Sequence, residues 1–597
     1  MWKVVKAHLI CDSPRPRKCG LSSRFCGSSQ LTKRLSSVGP YRARTASAST
    51  AGIRTARDGA AFARWWPCPW PGSIADRIRR RVRVYTIVCR ERVAPPMIES
   101  GTVIRAGCVD ERSARDVTLA LPLHEYGRLW ADTGYACLLD SAASGGRLGR
   151  WSFLAGPPQT ILRVWRRSGE MVAEVTHPAS GTSGSQTLQD GGELWRLIRA
   201  LLAETASPSV GPSPEVPFVG GAVGYIGYEA LHFIERLPEL RRPGLGLPLV
   251  YLLFVDSVLA FDHLTGRASL SISCSQAARR EQLADAWLDR LRSFESGDRP
   301  ERGFLGAVTA PAKHAAAGPS QSKGSYLEAV AEVQRRIAAG DLYEMNLTYQ
   351  WRLPFAGDAV LLYAQLRARN PAPFAACLQL PEAAVLSCSP ERFLHVAPDG
   401  WAETRPIKGT RPRGRSPAED DRLAAELSVS EKDRAEHAMI VDLLRNDLGR
   451  VCRYGTVRVA ELMNIESYAS VHQIVSTIRG RLRSECDAFD LLRACFPGGS
   501  MTGAPKVAAM KLIQELEPVE RGIYSGCIGY FDFRGGMDLN IVIRTAVLKD
   551  GFAHVGTGGA IVADSDPTAE YQETLHKARP LLEAIRRGCL VRIQKAS

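Results

Sequence analysis

Seven charged residues in the second half of the chain stand where they could take part in chemistry. The sequence places them on predicted helices or at the ends of predicted strands: Glu391, Glu403, Lys408, Glu436, Arg544, Glu573 and Lys577. Side chains of these types donate and accept protons, bind hard cations and, in a lysine that has lost its proton, act as nucleophiles. Each residue alone indicates little, because carboxylates and lysines are usually solvated.

Lys408 lies in the stretch RPIKGTRPRG, residues 405–414, among small and turn-forming neighbours. Taken by itself, such a lysine is typical of a surface residue on a turn. The preceding segments AAVLSCSPERFLHV and WAETRPIKGT predict two strands that pair around the turn APDG. Lys408 is therefore predicted at the end of the second strand.

Two predicted helices carry most of the other charged residues. A long helix is expected over about 417–448, on which Glu436 shares a face with Asp433. The last helix is expected to begin with Asp566 as its cap and Pro567 in its first turn. Residues at spacings of three and four then line one face of this helix, namely Glu570, Glu573 and Lys577.

A further helix is expected in the segment GAPKVAAMKLIQELE. Pro505 suits the first turn of this helix, because its fixed φ angle matches helical backbone and its missing N–H is not needed there. Thr502 is the expected N-terminal cap.

The distribution of charge along the chain limits the classes of partner that the protein is expected to bind. The 597 residues carry a net charge of +15, but residues 1–97 hold 20 Lys and Arg against 4 Asp and Glu, so the rest is near neutral. This basic segment lacks a sustained apolar period and should not form a packed core. It resembles either a transit peptide or an upstream stretch translated by mistake, with Met97 as the true start. No nucleic-acid partner is expected, and nucleic-acid binding through this basic segment is the alternative from another class.

The remaining sequence divides into three regions. Residues 98–300 are predicted to be mainly strands with covering helices, 301–322 are a Pro, Ala, Gly and Ser-rich linker, and 323–590 form a second domain. The most apolar run, LPLVYLLFVDSVLAFDH at 247–263, is interrupted by Asp256 and is too short for a bilayer, so it predicts a buried strand pair and no membrane contact. Cysteines without zinc-site spacing predict reduced thiols and a cytoplasmic protein.

Seven segments, in this order, resemble the chorismate-binding enzymes, a family that includes anthranilate, aminodeoxychorismate, isochorismate and salicylate synthases. They are SPERF, ETRPIKGTRPRG, SEKDRAEHAMIVDLLRNDLGRV, SVHQIVSTIRGRL, FPGGSMTGAPKVAAM, YSGCIGYFDFRGGMDLNIVIRT and GTGGAIVADSDPTAEYQETLHKA. The match covers about 325–587, and a looser one covers 120–265. The resemblance implies an α/β fold like that of anthranilate synthase component I, a sandwich of two mainly antiparallel sheets flanked by helices.

The resemblance also assigns a role to Lys408. Anthranilate synthases of this family carry alanine at its position, whereas the lysine is similar to aminodeoxychorismate synthases. There the neutral amine adds to the ring of chorismate and is then displaced by ammonia. We expect burial and the cationic Arg405 and Arg411 to lower the pKa of Lys408. Glu391 matches the acid that protonates the departing hydroxyl, and Glu403 is expected to orient the site.

Other matched positions imply a metal and a substrate clamp. Glu436 and Glu573 match carboxylates that hold Mg²⁺ against the ring carboxylate of chorismate, while Asp433 and Glu570 either support the ion or are solvated. The positions that match contacts to substrate, chiefly to its enolpyruvyl carboxylate, are Arg544, Tyr524, Lys577, Gly558, Gly559, Ser500 and His472.

Glu344 departs from the family pattern, since amine-transferring members usually have Gln there and water-using members have Lys. The missing lysine argues against water as the nucleophile, and Glu344 either holds ammonium or only forms a nearby hydrogen bond. The sequence has no segment resembling a glutaminase, so a separate amidotransferase subunit is implied as the source of ammonia. The resemblance thus predicts synthesis of 4-amino-4-deoxychorismate for 4-aminobenzoate and folate, with anthranilate synthesis as the alternative.

Overall fold

A computed structural model of the chain describes residues 114–143, 148–206, 216–238, 242–274, 276–298, 317–469 and 471–595. The predicted N-terminal extension, 1–97, lies outside these residues, as does most of the predicted linker 301–322. Residues Met97–Ser597 group as one compact unit.

The described residues before the linker form ten strands. In chain order they are β1 (Ala114–Val117), β2 (Ala136–Asp140), β3 (Trp151–Ala155), β4 (Thr160–Arg167), β5 (Glu170–His177), β6 (Thr182–Leu188), β7 (Gly221–Ile226), β8 (Val250–Val255), β9 (Ser257–Asp262) and β10 (Arg267–Ile272).

Fourteen more strands follow in the part of the chain described from residue 317 onward. They are β11 (Gly318–Pro319), β12 (Glu344–Pro354), β13 (Phe374–Gln379), β14 (Ala384–Ser389), β15 (Arg392–Val396), β16 (Trp401–Thr404), β17 (Ile407–Pro412), β18 (Arg458–Ser467), β19 (Val471–Arg481), β20 (Gly503–Ala504), β21 (Cys527–Asp532), β22 (Met537–Asn540), β23 (Thr545–Lys549) and β24 (Phe552–Ile561).

Ten α-helices accompany these strands in the described ranges. They are α1 (Gly191–Thr205), α2 (Ala277–Glu295), α3 (Lys323–Ala338), α4 (Ala359–Arg369), α5 (Pro417–Val429), α6 (Glu431–Gly449), α7 (Ala488–Cys495), α8 (Gly499–Thr502), α9 (Lys506–Leu516) and α10 (Pro567–Lys595). Short 3-10 helices cover Leu123–Arg128, Ala131–Thr133 and Tyr228–Phe233.

The strands form two twelve-stranded sheets. Sheet A runs β1-β10-β9-β3-β2-β13-β14-β23-β24-β12-β11 with β20 on β12, and sheet B runs β17-β19-β16-β15-β22-β21-β7-β8-β4-β5-β6 with β18 on β19. Strands from both sides of the linker pair antiparallel within each sheet, as β2 does with β13 and β7 with β21. The predicted α/β sandwich of two mainly antiparallel sheets is therefore confirmed.

Burial on both faces explains why the core strands read as continuous apolar runs. In β2, Cys137 and Leu139 belong to the hydrophobic cluster between the two sheets, whereas Leu138 packs in the cluster under the helices on the other face. Helices α2, α4 and α10 contribute to the cluster on the outer face of sheet A. Helices α1, α6, α7 and α9 contribute to the cluster that covers sheet B.

The apolar run at 247–263 corrects one prediction. It forms two buried strands, β8 and β9, as expected, but they do not pair with each other. Strand β8 pairs with β4 and β7 in sheet B, while β9 pairs with β3 and β10 in sheet A. Asp256 lies between β8 and β9, where the chain passes from sheet B to sheet A.

Two predicted helices differ in their bounds. The expected helix over 417–448 is split at Ser430, whose backbone is extended and whose side chain accepts a hydrogen bond from the N–H of Asp433 as the cap of α6. Thr502 does not cap α9, because its hydroxyl donates within the one-turn helix α8, and α9 begins after Pro505. The Asp566 cap is confirmed by a 2.7 Å hydrogen bond from the N–H of Ala569.

A buried arginine, Arg521, fixes the start of β12. Its guanidinium pairs with Glu517 at 2.7 Å and donates to the carbonyls of Met501 at 2.6 Å and Asn346 at 2.8 Å. It also lies 4.5 Å from the ring centre of Tyr228. A buried charge is tolerated when its hydrogen bonds are satisfied in this way, so Arg521 ties β12 to the segment around α8.

We expect Arg521→Met to destabilise the protein by about 3 to 5 kcal/mol, because the substitution leaves Glu517 as an unpaired buried charge. The midpoint of chemical denaturation, followed by circular dichroism, measures the effect. Arg445→Met is the control, since Arg445 pairs with Asp442 at 3.2 Å with side chains 51% and 80% exposed. Exposed pairs contribute about 0 to 1 kcal/mol, so equal shifts in the two variants would contradict the role of Arg521.

Candidate active site

Lys408 and Glu344 meet across the two sheets. Lys408 lies on β17 of sheet B, and Glu344 is the first residue of β12 in sheet A. The Lys408 Nζ donates to Glu344 Oε1 at 2.6 Å, and the two side chains are 10% and 0% exposed. The second oxygen, Glu344 Oε2, is buried without a hydrogen-bond partner. The structure thus buries an ion pair and leaves one acceptor free.

Two glycines allow the backbone to approach this pair. Gly409 has a φ of 76° and sits at a bulge between Lys408 and Thr410, and a Cβ there would lie 3.0 Å from Asp433 at the start of α6. Gly503 has a φ of 136°, and a Cβ there would lie 2.1 Å from the carbonyl oxygen of Glu344. Larger residues at either position would push α6 or β20 away from the site.

The pKa of Lys408 is shifted opposite to the expected direction. Burial lowers it, but the carboxylates of Glu344, Glu436 and Glu391 outweigh burial and raise the pKa above its ordinary value. The prediction of a lowered pKa was wrong. The resting lysine is therefore an ammonium group held among carboxylates.

The arginines that were expected to lower this pKa face other partners. Arg405 forms an ion pair with Glu466, while Arg411 pairs with Glu426 at 3.0 Å and with Asp433 at 3.1 Å. The charge of each guanidinium is thus balanced by its own carboxylate partners. Arg405 and Arg411 are close to Lys408 in the sequence, but they do not lower its pKa.

Glu391 occupies the connection between β14 of sheet A and β15 of sheet B. Its Oε1 accepts a 2.9 Å hydrogen bond from the Ser500 hydroxyl, and both residues are buried. Burial raises the pKa of Glu391 to about 7, against the lowering effects of Ser500 and Lys408. A carboxyl group with this pKa holds a proton for much of the time near neutral pH, which suits a proton donor.

The carboxylates of α6 and α10 approach each other around Lys432. Its Nζ lies 3.2 Å from Glu570 Oε1 and 3.9 Å from Glu436 Oε1. Glu436 Oε1 is buried without a hydrogen-bond partner, and burial raises the pKa of Glu436 to about 7. Among the described residues, no group of three or more His, Cys, Asp or Glu side chains is placed so that it could hold a metal ion.

Glu573 and Lys577 form a more exposed pair on α10. Glu573 Oε1 lies 2.7 Å from Lys577 Nζ, which holds the pKa of Glu573 below its ordinary value. Lys577 also donates to the Gly558 carbonyl at 3.0 Å. A Cβ at Gly559 would lie 3.1 Å from Glu570 Oε2, so these glycines let β24 pass close to the carboxylates of α10.

Arg544 and Tyr524 supply two further matched groups. Arg544 has a left-handed backbone, with φ 49°, and burial without an opposing carboxylate lowers its pKa. No ion pair of Arg544 is found within the described ranges, and a desolvated guanidinium of this kind is suited to an anionic ligand. The ring of Tyr524 covers Gly556, where a Cβ would lie 2.3 Å from it. Burial raises the pKa of Tyr524, so its hydroxyl stays neutral.

Two predicted residues are placed elsewhere. Glu403 pairs with Arg392 at 2.8 Å and with Arg479 at 2.6 Å. It lies opposite Arg479 on β19, whereas Lys408 lies opposite Ile474, which separates them by roughly 16 Å at 3.3 Å per residue. Glu403 therefore makes no direct contact with Lys408.

His472 is held by two hydrogen bonds to residues other than Lys408 and Glu344. Its Nε2 is 2.9 Å from Asp420 and its Nδ1 is 2.8 Å from the Ser467 hydroxyl. One ring nitrogen is thus engaged with α5 and the other with the end of β18. His472 is two residues along β19 from Ile474, which lies opposite Lys408, and the role in substrate binding stays a prediction.

A cavity of about 900 Å³ opens at another place between the sheets, lined by residues that include Ser141, Phe374, Arg392 and Tyr530. Neither Lys408 nor Glu391 lines it. The charged groups that act on Lys408, namely Glu344, Glu436 and Glu391, therefore lie outside this cavity.

Two residues of the cluster, Glu344 and Lys432, are given no definite role by the sequence alone. Glu344 was noted as a departure, but its pairing with Lys408 joins residues from different sheets. Lys432 was not singled out, although it stands four residues before Glu436 and so shares its helix face. That spacing was the available signal.

The profile of the chorismate binding enzyme family matches residues 163–583, more than half of the chain. The chain belongs to this family. Aminodeoxychorismate synthase of Streptomyces pristinaespiralis is 43% identical over 467 residues, which cover 77% of this chain and 63% of that protein. Anthranilate synthase component 1 of Streptomyces coelicolor is also 43% identical, over 405 residues that cover 67% of this chain and 78% of that protein. Sequence identity does not separate the two activities.

Solved structures agree with this family assignment. Anthranilate synthase component I from Streptococcus pneumoniae TIGR4 matches with a TM-score of 0.60 and 30% identity, covering 73% of this chain and 93% of that chain. Within the described residues, helices long and apolar enough to cross a membrane are absent.

We expect Ser500→Ala to shift the pH profile of chorismate consumption. The Ser500 hydrogen bond favours ionised Glu391, so its loss should raise the pKa of Glu391 further above about 7. If Glu391 is the proton donor, activity falls as pH rises through its pKa, and the alkaline limb moves to higher pH in the variant. Initial rates between pH 5.5 and 9 test this, with Ser387→Ala as a buried serine control. An unmoved limb would argue against Glu391 as the acid.

Proposed function

We propose that this member of the family is an aminodeoxychorismate synthase, which converts chorismate and ammonia to 4-amino-4-deoxychorismate. Lys408 is the observation that carries the proposal, because it is a buried amine at the centre of the carboxylate cluster and not a solvated turn residue. A nucleophilic lysine needs such an enclosed setting beside a proton acceptor and a proton donor. Glu344 is the candidate proton acceptor, and Glu391 is the candidate proton donor.

In the first step, the Lys408 ammonium passes a proton to Glu344 Oε1 along the 2.6 Å hydrogen bond. The neutral amine forms a bond to a ring carbon of chorismate while the C–O bond of the ring hydroxyl breaks. Glu391 gives its proton to the departing oxygen, and water leaves. The lysine is then attached to the ring as a secondary ammonium.

In the second step, ammonia forms a bond to the ring while the bond to Lys408 breaks. The lysine departs with the electron pair as a neutral amine and recovers its proton from Glu344. The product carries an ammonium group, and solvent reprotonates Glu391. The sum is chorismate plus ammonium giving aminated product plus water, so no oxidant or reductant is required.

We propose that Mg²⁺ binds at the carboxylates of α6 and α10. Glu436 has a buried oxygen without a hydrogen-bond partner, and Glu570 and Glu573 face the same region from α10. Hard cations prefer such oxygens and complete their shells with water and substrate. Bound there, Mg²⁺ would neutralise a carboxylate of chorismate. Arg544 and Tyr524 are proposed to hold the enolpyruvyl carboxylate.

A separate amidotransferase subunit is proposed as the source of ammonia in the cell. Anthranilate synthesis is the second candidate, since a relative with that name is equally identical to this chain. That reaction would also remove pyruvate from an aminated intermediate. The buried lysine favours the first candidate, because it provides a nucleophile at the position where the resemblance gives alanine to anthranilate synthases.

We expect the purified chain, supplied with chorismate, Mg²⁺ and ammonium, to form a product that a lyase converts to 4-aminobenzoate. Lys408→Ala should reduce this rate at least about 100-fold, because the covalent route is lost. Chromatography with fluorescence detection separates 4-aminobenzoate from anthranilate. Lys506→Ala is the control lysine, which pairs with Asp447 outside the cluster. Anthranilate as the main wild-type product would refute the proposal.

We expect Glu436→Gln to weaken Mg²⁺ binding at least about tenfold, since an amide replaces a charged ligand. Mn²⁺ can be used as the probe, with its binding followed by electron paramagnetic resonance and the activity titrated with Mg²⁺ in parallel. Glu426→Gln is a control on α5, where Glu426 forms ion pairs with Arg411 and Arg422. Normal Mn²⁺ binding by Glu436→Gln would refute the ligand assignment.

A further inference from the structure

Asn346 carries a buried side-chain oxygen that has no hydrogen-bond donor. Its Nδ2 donates to the carbonyl of Ser500 at 3.1 Å and to the sulfur of Met501 at 3.6 Å, whereas its Oδ1 is buried without a partner, and the residue is 7% exposed. Turning the amide over would set Oδ1 against the Ser500 carbonyl oxygen, so the orientation of the amide is fixed. Leaving a buried acceptor without a donor is unfavourable, so Oδ1 indicates a ligand that donates to it.

The side chain of Asn346 lies on the face of β12 that carries the reactive cluster. Glu344 and Asn346 are two residues apart on this strand, so their side chains share one face, and Glu344 meets Lys408 from that face. Ser500, whose carbonyl receives the Asn346 amide, also donates its hydroxyl to Glu391 Oε1 at 2.9 Å. Asn346 is therefore linked to the proposed proton donor through a single residue.

The chemistry of the substrate limits which of its groups can donate to this oxygen. Chorismate carries two carboxylates, which only accept hydrogen bonds when they are ionised, and one ring hydroxyl, which both donates and accepts. The amide oxygen of Asn346 would repel either carboxylate. Among the groups of dianionic chorismate, the ring hydroxyl is therefore the one that Oδ1 can bind.

We propose that Asn346 Oδ1 binds the ring hydroxyl of chorismate, the group that leaves in the reaction, by accepting its hydrogen bond. This inference rests on the proposed function, in which that hydroxyl departs as water after Glu391 has given it a proton. When Asn346 holds the hydroxyl hydrogen, the lone pairs of the oxygen point elsewhere and are free to receive a proton. Ser500 bonds both to the Asn346 amide and to Glu391, so it sets the acceptor and the acid in a fixed relation to each other.

Atoms and charges balance without any change in Asn346. The hydroxyl hydrogen stays on its oxygen and donates to Oδ1. Glu391 gives its proton to the same oxygen, the C–O bond breaks with its electron pair on the oxygen, and water leaves. Asn346 neither gains nor loses a proton, so it binds and orients the leaving group and does not act as an acid.

Two inert analogues of chorismate isolate this hydrogen bond. Both keep the two carboxylates on a fully saturated ring, so that no allylic C–O bond can be displaced, and they differ only in the ring hydroxyl. Isothermal titration calorimetry, with Mg²⁺ and without ammonium, measures their dissociation constants. We expect the wild-type protein to bind the hydroxylated analogue about tenfold more tightly, the effect of one buried hydrogen bond. Asn346→Leu, which has a similar volume and no acceptor, should bind both analogues about equally.

Asn370→Leu is the matched control, because Asn370 is also a buried asparagine with one unpartnered amide atom, and it lies at the end of α4. It should keep the tenfold preference. Asn346→Asp retains an acceptor, so it should also keep a preference for the hydroxylated analogue while its added charge weakens the binding of both. The assignment would be overturned by a preference retained in Asn346→Leu or lost in Asn370→Leu as well. Equal affinities in the wild-type protein, the result expected if Lys408 or ammonia were the donor, would also overturn it, and that comparison needs no variant to fold.

Product identity separates this inference from the proposed function. Both candidate reactions remove the ring hydroxyl, and the analogues are bound without turnover, so the ratio of dissociation constants is informative whichever product forms. A wild-type enzyme that makes anthranilate but shows the expected ratios would refute the proposed function alone. A wild-type enzyme that makes 4-amino-4-deoxychorismate without those ratios would refute this inference alone.

Discussion

The site depends on an ion pair that joins the two sheets, with Lys408 on sheet B and Glu344 on sheet A. Removing two charges from water is unfavourable by several kcal/mol per ion, and only a short, well-directed contact offsets this. The fold therefore has to hold both strands rigidly. Arg521 does so for β12 by bonding to the Asn346 carbonyl, and the bulge at Gly409 aims Lys408 on β17. The Lys408–Glu344 contact therefore links the two sheets and also lies at the proposed reaction centre.

Charge around this pair is unequal. Five carboxyl groups gather in the cluster, Glu344, Glu391, Glu436, Glu570 and Glu573, against three ammonium groups, Lys408, Lys432 and Lys577. Burial reduces part of this excess negative charge, because it raises the pKa values of Glu391 and Glu436 to about 7. A dianionic substrate would increase the imbalance further. A divalent cation and an unpaired guanidinium such as Arg544 are the groups that would restore neutrality, which supports the magnesium proposal.

Local patterns in the sequence predicted local structure, and failures arose where distant segments meet. The pairing of β15 with β16 and the Asp566 cap depend on neighbouring residues, and both are found. The placement of β8 and β9 in different sheets depends on distant partners, since β9 pairs with β3, whose residues lie more than a hundred positions earlier in the chain. The prediction for the pKa of Lys408 failed for the same reason. Arg405 and Arg411 are its neighbours in the sequence, whereas the carboxylates of Glu344 and Glu436 come from β12 and α6.

Lys432 supplies a positive charge at the carboxylates where Mg²⁺ is proposed to bind. Its ammonium lies between Glu436 and Glu570, where the proposed cation would bind, yet its side chain is 51% exposed. A half-exposed lysine loses little hydration when it contacts a carboxylate, so it can return to solvent with little penalty. A divalent ion at the same carboxylates would replace one positive charge by two. The helices α6 and α10 would then stay linked by a cation throughout, first by the lysine and then by the metal, without moving the strands that hold Lys408 and Glu344.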